Sequence, residues 1–146
     1  MFDVKCKAEV KNLNVRTEIH GDDNVPAYDV TLMLLGVPVD CITRACPDIG
    51  KRFYSGDQVA IGEVNPLTVQ HKMENLTVKI GERTLNGCDI KKGAKIMLLP
   101  EKVANVEVKV QVEHRGDIVL DIMAVLRDEV IVSINERQLE IVGMEQ

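Results

Sequence analysis

Residues 2–10 read Phe2-Asp3-Val4-Lys5-Cys6-Lys7-Ala8-Glu9-Val10, an unbroken alternation of apolar and polar side chains. Side chains of a β-strand point alternately to its two faces, so a period of two is typical of a strand that buries one face. A second alternating run, Leu13-Asn14-Val15-Arg16-Thr17-Glu18-Ile19, follows almost directly. Asn12 lies between the two runs and marks a tight turn or a β-bulge. The first 20 residues therefore predict half-buried strands.

Similar runs continue through the chain. Residues 28–35 are mostly apolar and predict a central strand that is covered on both faces. Further strands are predicted at 75–80, 94–99, 103–112 and 130–134, with a weaker candidate at 67–73 and an extension at 139–146. Residues 49–65 are rich in glycine and charge and predict an extended connection. The fold class expected is mainly β (β-rich α+β), an antiparallel sheet or sandwich with one or two short helices, as a single domain over residues 1–146.

Two segments favour a helix. Asp40 is placed to cap a short helix over residues 41–46, which Pro47 would end. Residues 117–128 place Ile118, Val119, Ile122, Met123 and Leu126 on one helical face, with Asp121 opposite. We therefore expect a second helix there, capped by Asp117.

Composition describes a globular chain and limits its partners. Of 146 residues, 45% are hydrophobic and 28% charged, which is typical of a folded domain. The net charge of −5 disfavours general polyanion binding, and four aromatic residues without tryptophan offer few surfaces for base stacking. Residues 1–5 lack the features of a signal peptide, and the most apolar stretch, 30–39, is shorter than the roughly 20 residues of a membrane helix. We expect a cytoplasmic protein with reduced cysteines.

Metal-ligating residue types occur at two places. His20-Gly21-Asp22-Asp23 joins an imidazole and two carboxylates, as metal-dependent phosphoesterases do. Together with Asn24 it makes five turn-forming residues in a row, which is more typical of a hairpin loop. Cys41 and Cys46 are spaced too widely for a zinc knuckle, and Cys6 and Cys88 are isolated, although they could be neighbours in space. The glycines fit no phosphate-binding loop, and no nucleophile elbow is present. We predict no cofactor and no catalytic residue.

One segment resembles a known group of proteins. The pattern Asn14-x-Arg16-x-Glu18-x-His20-Gly21-Asp22-Asp23-x-Val25-Pro26-Ala27-x-Asp29 is similar to a stretch near the N-terminus of small accessory proteins of tailed bacteriophages. The resemblance covers about the first fifth of the chain with specificity. It implies a phage origin and the host bacterial cytoplasm, and it carries over no catalytic residue. The residues by themselves predict a polar strand, an acidic turn and a next strand that starts at Pro26.

Two functions follow as expectations. The first is a non-enzymatic accessory protein that binds and inhibits or modulates a host or phage protein, for instance an inhibitor of bacterial antiviral defence such as an anti-CRISPR. Its acidic face could imitate nucleic acid, and we assign that face to Asp117, Asp121, Asp128, Glu129 and Glu136. The alternative is a single-stranded nucleic-acid-binding accessory of phage recombination or replication, which would use Lys79, Arg83, Lys91, Lys92 and Lys95. A metal-dependent phosphoesterase comes third, and open strand edges would allow a homodimer.

Overall fold

The structure is a computed structural model that describes residues 3–43, 54–55, 58–59, 67–69, 72–91, 93–113 and 116–136. Its elements in chain order are β1 (Asp3–His20), β2 (Asp23–Pro38), α1 (Val39–Thr43), β3 (Tyr54–Ser55), β4 (Gln58–Val59), β5 (Leu67–Val69), β6 (Met73–Ile80), β7 (Arg83–Ile90), β8 (Ala94–Leu99), β9 (Val103–Glu113), α2 (Gly116–Ala124) and β10 (Glu129–Glu136). A short 3-10 turn, Pro100–Lys102, joins β8 to β9.

Six antiparallel strands close into a barrel. The ring runs β1, β10, β6, β7, β9, β2 and returns to β1, because β2 pairs with both β1 and β9. Strand β8 follows β9 along Val103–Val108, beside the single pairing of β7 at Gln111, and β5 adds to β8. The predicted mainly β, antiparallel fold with short helices is confirmed, and the sheet closes rather than forming a sandwich.

The barrel interior is built from alternate residues of each strand. In β9 the side chains of Val106, Val108, Val110 and Val112 are buried, as their spacing predicts. In β2 the buried residues Val30, Leu32 and Leu34 alternate with half-buried Thr31, Met33 and Leu35. The prediction of two fully covered faces for this strand is therefore only half right, since the outward face is partly exposed.

Strands β1 and β2 form one long hairpin. The two alternating runs at the start of the chain belong to a single strand, and its register shifts between Val10 and Asn12, which confirms the bulge. The predicted five-residue loop is a two-residue turn, Gly21-Asp22, closed by the pair His20 and Asp23. Gly21 has φ +66°, the conformation that the first residue of a type II′ turn requires. The prediction that the second strand starts at Pro26 is wrong, because β2 begins at Asp23.

The helices differ from their predicted ends. Helix α1 begins at Val39, so Asp40 lies in its first turn and not before it. The predicted end of this helix at Pro47 lies outside the described residues. Helix α2 begins at Gly116, so Asp117 is also inside the helix and the predicted caps are wrong. Val39 precedes Asp40 and Gly116 precedes Asp117 as the first helical residue. A carboxylate in the first turn of a helix still interacts favourably with the helix dipole.

The other predicted strands and connections can be compared with the structure where their residues are described. Strands β6, β8 and β10 contain the predicted runs. The weak candidate at 67–73 is divided between β5 and the start of β6, and the connection at 49–65 contains the paired two-residue strands β3 and β4. The predicted extension at 139–146 lies outside the described residues.

Candidate docking surface on helix α2

Helix α2 turns much of its apolar surface to solvent. Leu120 is 70% exposed and Met123 is 54% exposed, whereas Ile122 is almost fully buried. Residues two positions apart in an α-helix are separated by about 200° around its axis, so Leu120 and Ile122 lie on opposite sides. The helix therefore rests on the barrel through Ile122 and presents Leu120 outward.

The exposed residues form a group that we call the α2 patch: Leu120, Met123 and Leu126, the last in the turn after the helix. The predicted helix is confirmed, but its predicted apolar face is wrong at Met123 and Leu126, which do not join the core. Val119 is half-buried, and the side chain of Ile118 lies outside those described. Single exposed apolar residues are ordinary, whereas three on one short segment are typical of an interaction surface.

The barrel contacts helix α2 at its middle and again just after its last residue. Arg83 Nε lies 2.9 Å from Asp121 Oδ2, which ties the middle of α2 to the start of β7. After the helix, the Arg127 amide donates to the Val10 carbonyl at 2.6 Å, and the Val10 amide donates to the Asp128 carbonyl at 3.2 Å. A cleft of about 470 Å³ lies between α2 and the β6–β7 turn, lined by Ile80, Arg83, Asp121, Ile122 and Val125 among others. The patch is thus displayed on a fixed helix with a concave margin.

The predicted acidic face divides into two places. Asp121, Asp128 and Glu129 lie on α2 or directly after it, and all three are exposed. Glu129 stands opposite Glu9 in the pairing of β10 with β1, so two carboxylates lie side by side where β10 begins. Asp117 belongs to the first turn of the same helix. Glu136 ends β10, seven residues beyond Glu129 and therefore about 23 Å away.

The predicted basic residues are also dispersed. Lys79 lies opposite Thr84, next to Arg83, and Arg83 is bound to Asp121. Lys91 follows the far end of β7, about 26 Å from Arg83 along an extended strand. Lys95 on β8 stands opposite Glu107, and Lys92 lies outside the described residues. The described members do not form one continuous strip.

A second concavity, of about 560 Å³, crosses the outer faces of β1, β10 and β6. Lys5 and Lys79 flank Ser133 there, because Ser133 pairs with Lys5 on one side and Lys79 on the other. Asp3 and Glu82 line the same groove. Charges of both signs balance one another, so this face has no clear preference for an anion or a cation.

A partly buried ion-pair network lies on the outer face of the β1–β2 hairpin, and the sequence prediction missed it. Arg16 Nε donates to Asp29 Oδ1 at 2.9 Å, and Arg16 Nη1 also bonds Glu18 Oε2. Asp29 is only 6% exposed. The bond from Glu18 raises the pKa of Arg16, and Asp29 adds to the rise. The contact could have been predicted from the Gly21-Asp22 turn. A two-residue turn there sets the register of the hairpin, which places Arg16 diagonally across from Asp29.

The His20-Gly21-Asp22-Asp23 segment is the hairpin turn and its closing pair. Asp22 and Asp23 are exposed. Within the parts of the chain that the structure describes, no group of three histidine, cysteine or acidic residues is close enough together to hold a metal ion.

Cys6 and Cys41 lie close enough for Cys41 to affect the pKa of Cys6. Both are half-buried against the core, and Cys88 is buried in β7; Cys46 lies outside the described residues. Burial raises the pKa of the Cys6 thiol above its ordinary value, a backbone hydrogen bond at Leu35 partly offsets this, and nearby Cys41 adds to the rise.

We expect Cys6 to react slowly with iodoacetamide. A raised pKa leaves less thiolate at a given pH, and the thiolate is the nucleophile. Alkylation of Cys6 at pH 8, followed by peptide mass spectrometry, should be several-fold slower in the native protein than in the same protein unfolded in urea. Equal rates in the two states would contradict the burial of this thiol.

No family model, curated protein or solved structure matches this chain. In the described part of the chain, no helix is both long and apolar enough to cross a membrane.

Proposed function

We propose that this protein is a non-enzymatic protein-binding module, a phage accessory protein that docks on a host or phage protein through the α2 patch and inhibits or modulates it. The observation that carries the proposal is the exposure of Leu120 and Met123 on a helix that the barrel holds in place. A short helix with exposed apolar residues three apart is suited to an apolar groove in a partner. A few well-packed side chains near the centre of such a contact supply most of the binding energy.

The charge around the patch indicates the partner's chemistry. Asp128 and Glu129 follow Leu126 closely in the chain and are exposed, and Glu9 stands opposite Glu129. Asp121 is paired with Arg83 and adds less to this negative charge. A complementary partner has an apolar groove with a basic margin, since opposite potentials favour encounter and set orientation. Basic grooves of that kind occur in enzymes that handle nucleic acid, so an inhibitor of bacterial antiviral defence is one form of this function.

Nucleic acid is the competing ligand, and it has less support. Arg83 is occupied by Asp121, and Lys91 lies at the opposite end of β7. The chain has a net charge of −5. Phosphate contacts need several cations within reach of one backbone, which the described members of the predicted basic set do not supply.

Replacing Met123 by aspartate is expected to remove at least nine-tenths of the partner recovered from a lysate of infected host cells. A charge placed in an apolar contact costs more than the loss of the side chain alone. Met97→Asp is the matched control, because Met97 is also an exposed methionine but lies on β8. Quantitative mass spectrometry of material captured on wild type, Met123→Asp and Met97→Asp would test this. Equal loss in the two variants, or equal retention, would contradict docking through α2.

A further inference from the structure

Strand β1 has an open edge along the outer half of the hairpin. It pairs with β10 only over Asp3–Glu9, whereas its pairing with β2 continues to His20. The segment after α2 covers the edge at Val10 through the two backbone hydrogen bonds with Arg127 and Asp128. Beyond the bulge, no strand among the described residues pairs with the second edge of residues 13–19.

The backbone groups on that edge can be assigned from the hairpin. Thr17 stands opposite Pro26, which has no N–H, so this pair is not a hydrogen-bonded one. Thr17 therefore directs its N–H and C=O away from β2. Hydrogen-bonded and non-hydrogen-bonded pairs alternate along the hairpin, so Leu13, Val15 and Ile19 direct their backbone groups the same way. Four alternate residues thus offer both a donor and an acceptor to a strand added at this edge.

The open edge over residues 13–19 contains no proline, and its charged side chains are paired within the hairpin. Edge strands normally carry prolines or charges that discourage pairing. The charged residues of this stretch, Arg16 and Glu18, bond to one another, and Arg16 also bonds to Asp29, on the outer face of the hairpin. On the other face, Val15 is 59% exposed and Ile19 is 75% exposed. The opposite edge of the same hairpin is blocked by Pro26.

We propose that this edge pairs with the same edge of a second copy of the chain, antiparallel, with the two-fold axis at Thr17. In that register, Val15 of one copy stands opposite Ile19 of the other. Arg16 stands opposite Glu18 of the other copy. Because of the two-fold symmetry, each of these two pairs occurs twice in the dimer. Opposite charges and β-branched pairs are the favourable cross-strand combinations. Centring the axis on Arg16 or Glu18 would instead oppose like charges, so self-complementarity selects the register at Thr17.

The interface is short, and the dimer it forms is weak. About seven residues from each copy take part, which places the buried area at the low end of specific interfaces. The contact uses residues 13–19 of β1 and no residue of the α2 patch, so its tests are separate from those of the proposed docking function. We expect a monomer–dimer equilibrium that is visible between about 10 μM and about 1 mM protein.

Replacing Thr17 by proline tests the edge. The change removes a donor that points to the second copy and no hydrogen bond within the hairpin. Asn24→Pro is the matched control, because Asn24 pairs with Ile19 and directs its N–H to the other edge. Sedimentation equilibrium should show at least a tenfold weaker dimer for Thr17→Pro and an unchanged dimer for Asn24→Pro. A wild-type protein that stays monomeric to about 1 mM, or a Thr17→Pro variant that dimerises as well as wild type, would overturn the proposal.

A cysteine cross-link tests the register without a proline. Across the axis, the two Thr17 Cα atoms would be about 5.5 Å apart, within reach of a disulfide, whereas the two Asn14 Cα atoms would be about 20 Å apart. Under mild oxidation, Thr17→Cys should give a covalent dimer, and wild type and Asn14→Cys should not. Equal cross-linking of the two variants, or none in Thr17→Cys, would contradict this pairing.

Discussion

Replacing Leu32 by alanine is expected to lower the free energy of unfolding by about 2–5 kcal/mol. Leu32 is fully buried in β2 and stands between Val10 of β1 and Val108 of β9. Both neighbours are held in a closed ring of strands, so the barrel has little freedom to collapse onto the cavity that alanine leaves. Urea unfolding followed by circular dichroism measures the change.

Met33→Ala is the matched control for this prediction. Met33 is the next residue in the same strand, is half-buried and faces outward, opposite Glu9 and Glu107. Its loss should cost about 1 kcal/mol or less, because water can fill the space. Similar effects of the two substitutions would mean that Leu32 does not lie inside a closed core.

Replacing Asp29 by alanine is expected to cost about 2 kcal/mol of folding free energy. Asp29 accepts the Arg16 hydrogen bond at 2.9 Å, and its side chain is 8% exposed. Without the Asp29 carboxylate, the partly buried positive charge of Arg16 loses one of its two ion-pair partners. The cost stays below that of a fully buried pair, because the Arg16 side chain is 26% exposed and keeps its bond to Glu18.

Glu18→Ala separates the buried contact from the exposed one. Glu18 bonds the same guanidinium, but its side chain is 29% exposed. Its replacement should cost less than about 1 kcal/mol, the usual scale of an accessible ion pair. If Asp29→Ala proved no more costly than Glu18→Ala in thermal and urea unfolding, the network would not stabilise the hairpin as described.

The strands could be predicted where one face is buried and the other is exposed to solvent, because their apolar and polar residues alternate. β9 alternates valine with polar residues, and the period alone identifies its core face. Closure of the sheet was not predictable in this way, because it depends on β2 pairing with β9, and residues far apart in sequence leave no local signal of their pairing. The five turn-forming residues around Gly21 suggested a longer loop, whereas two of them, Asp23 and Asn24, extend β2.

The candidate site was predictable only in part. The helix at α2 follows from its period, but an apolar residue that faces a partner and one that faces the core look the same in sequence. Met123 and Leu126 were therefore placed on the wrong side. The grouping of Glu136 with Glu129 failed for a different reason, since both lie on one strand and an extended chain separates its ends.

The central claim is that α2 forms the docking surface, and a titration of the recovered partner against purified variants tests it most directly. Biolayer interferometry should show that Met123→Asp raises the Kd at least tenfold. Met97→Asp and the double variant Lys91→Ala with Lys92→Ala should stay within about twofold of wild type, since about 0.4 kcal/mol corresponds to that factor. An unchanged Kd for Met123→Asp, or a large loss in the lysine variant alone, would contradict the account.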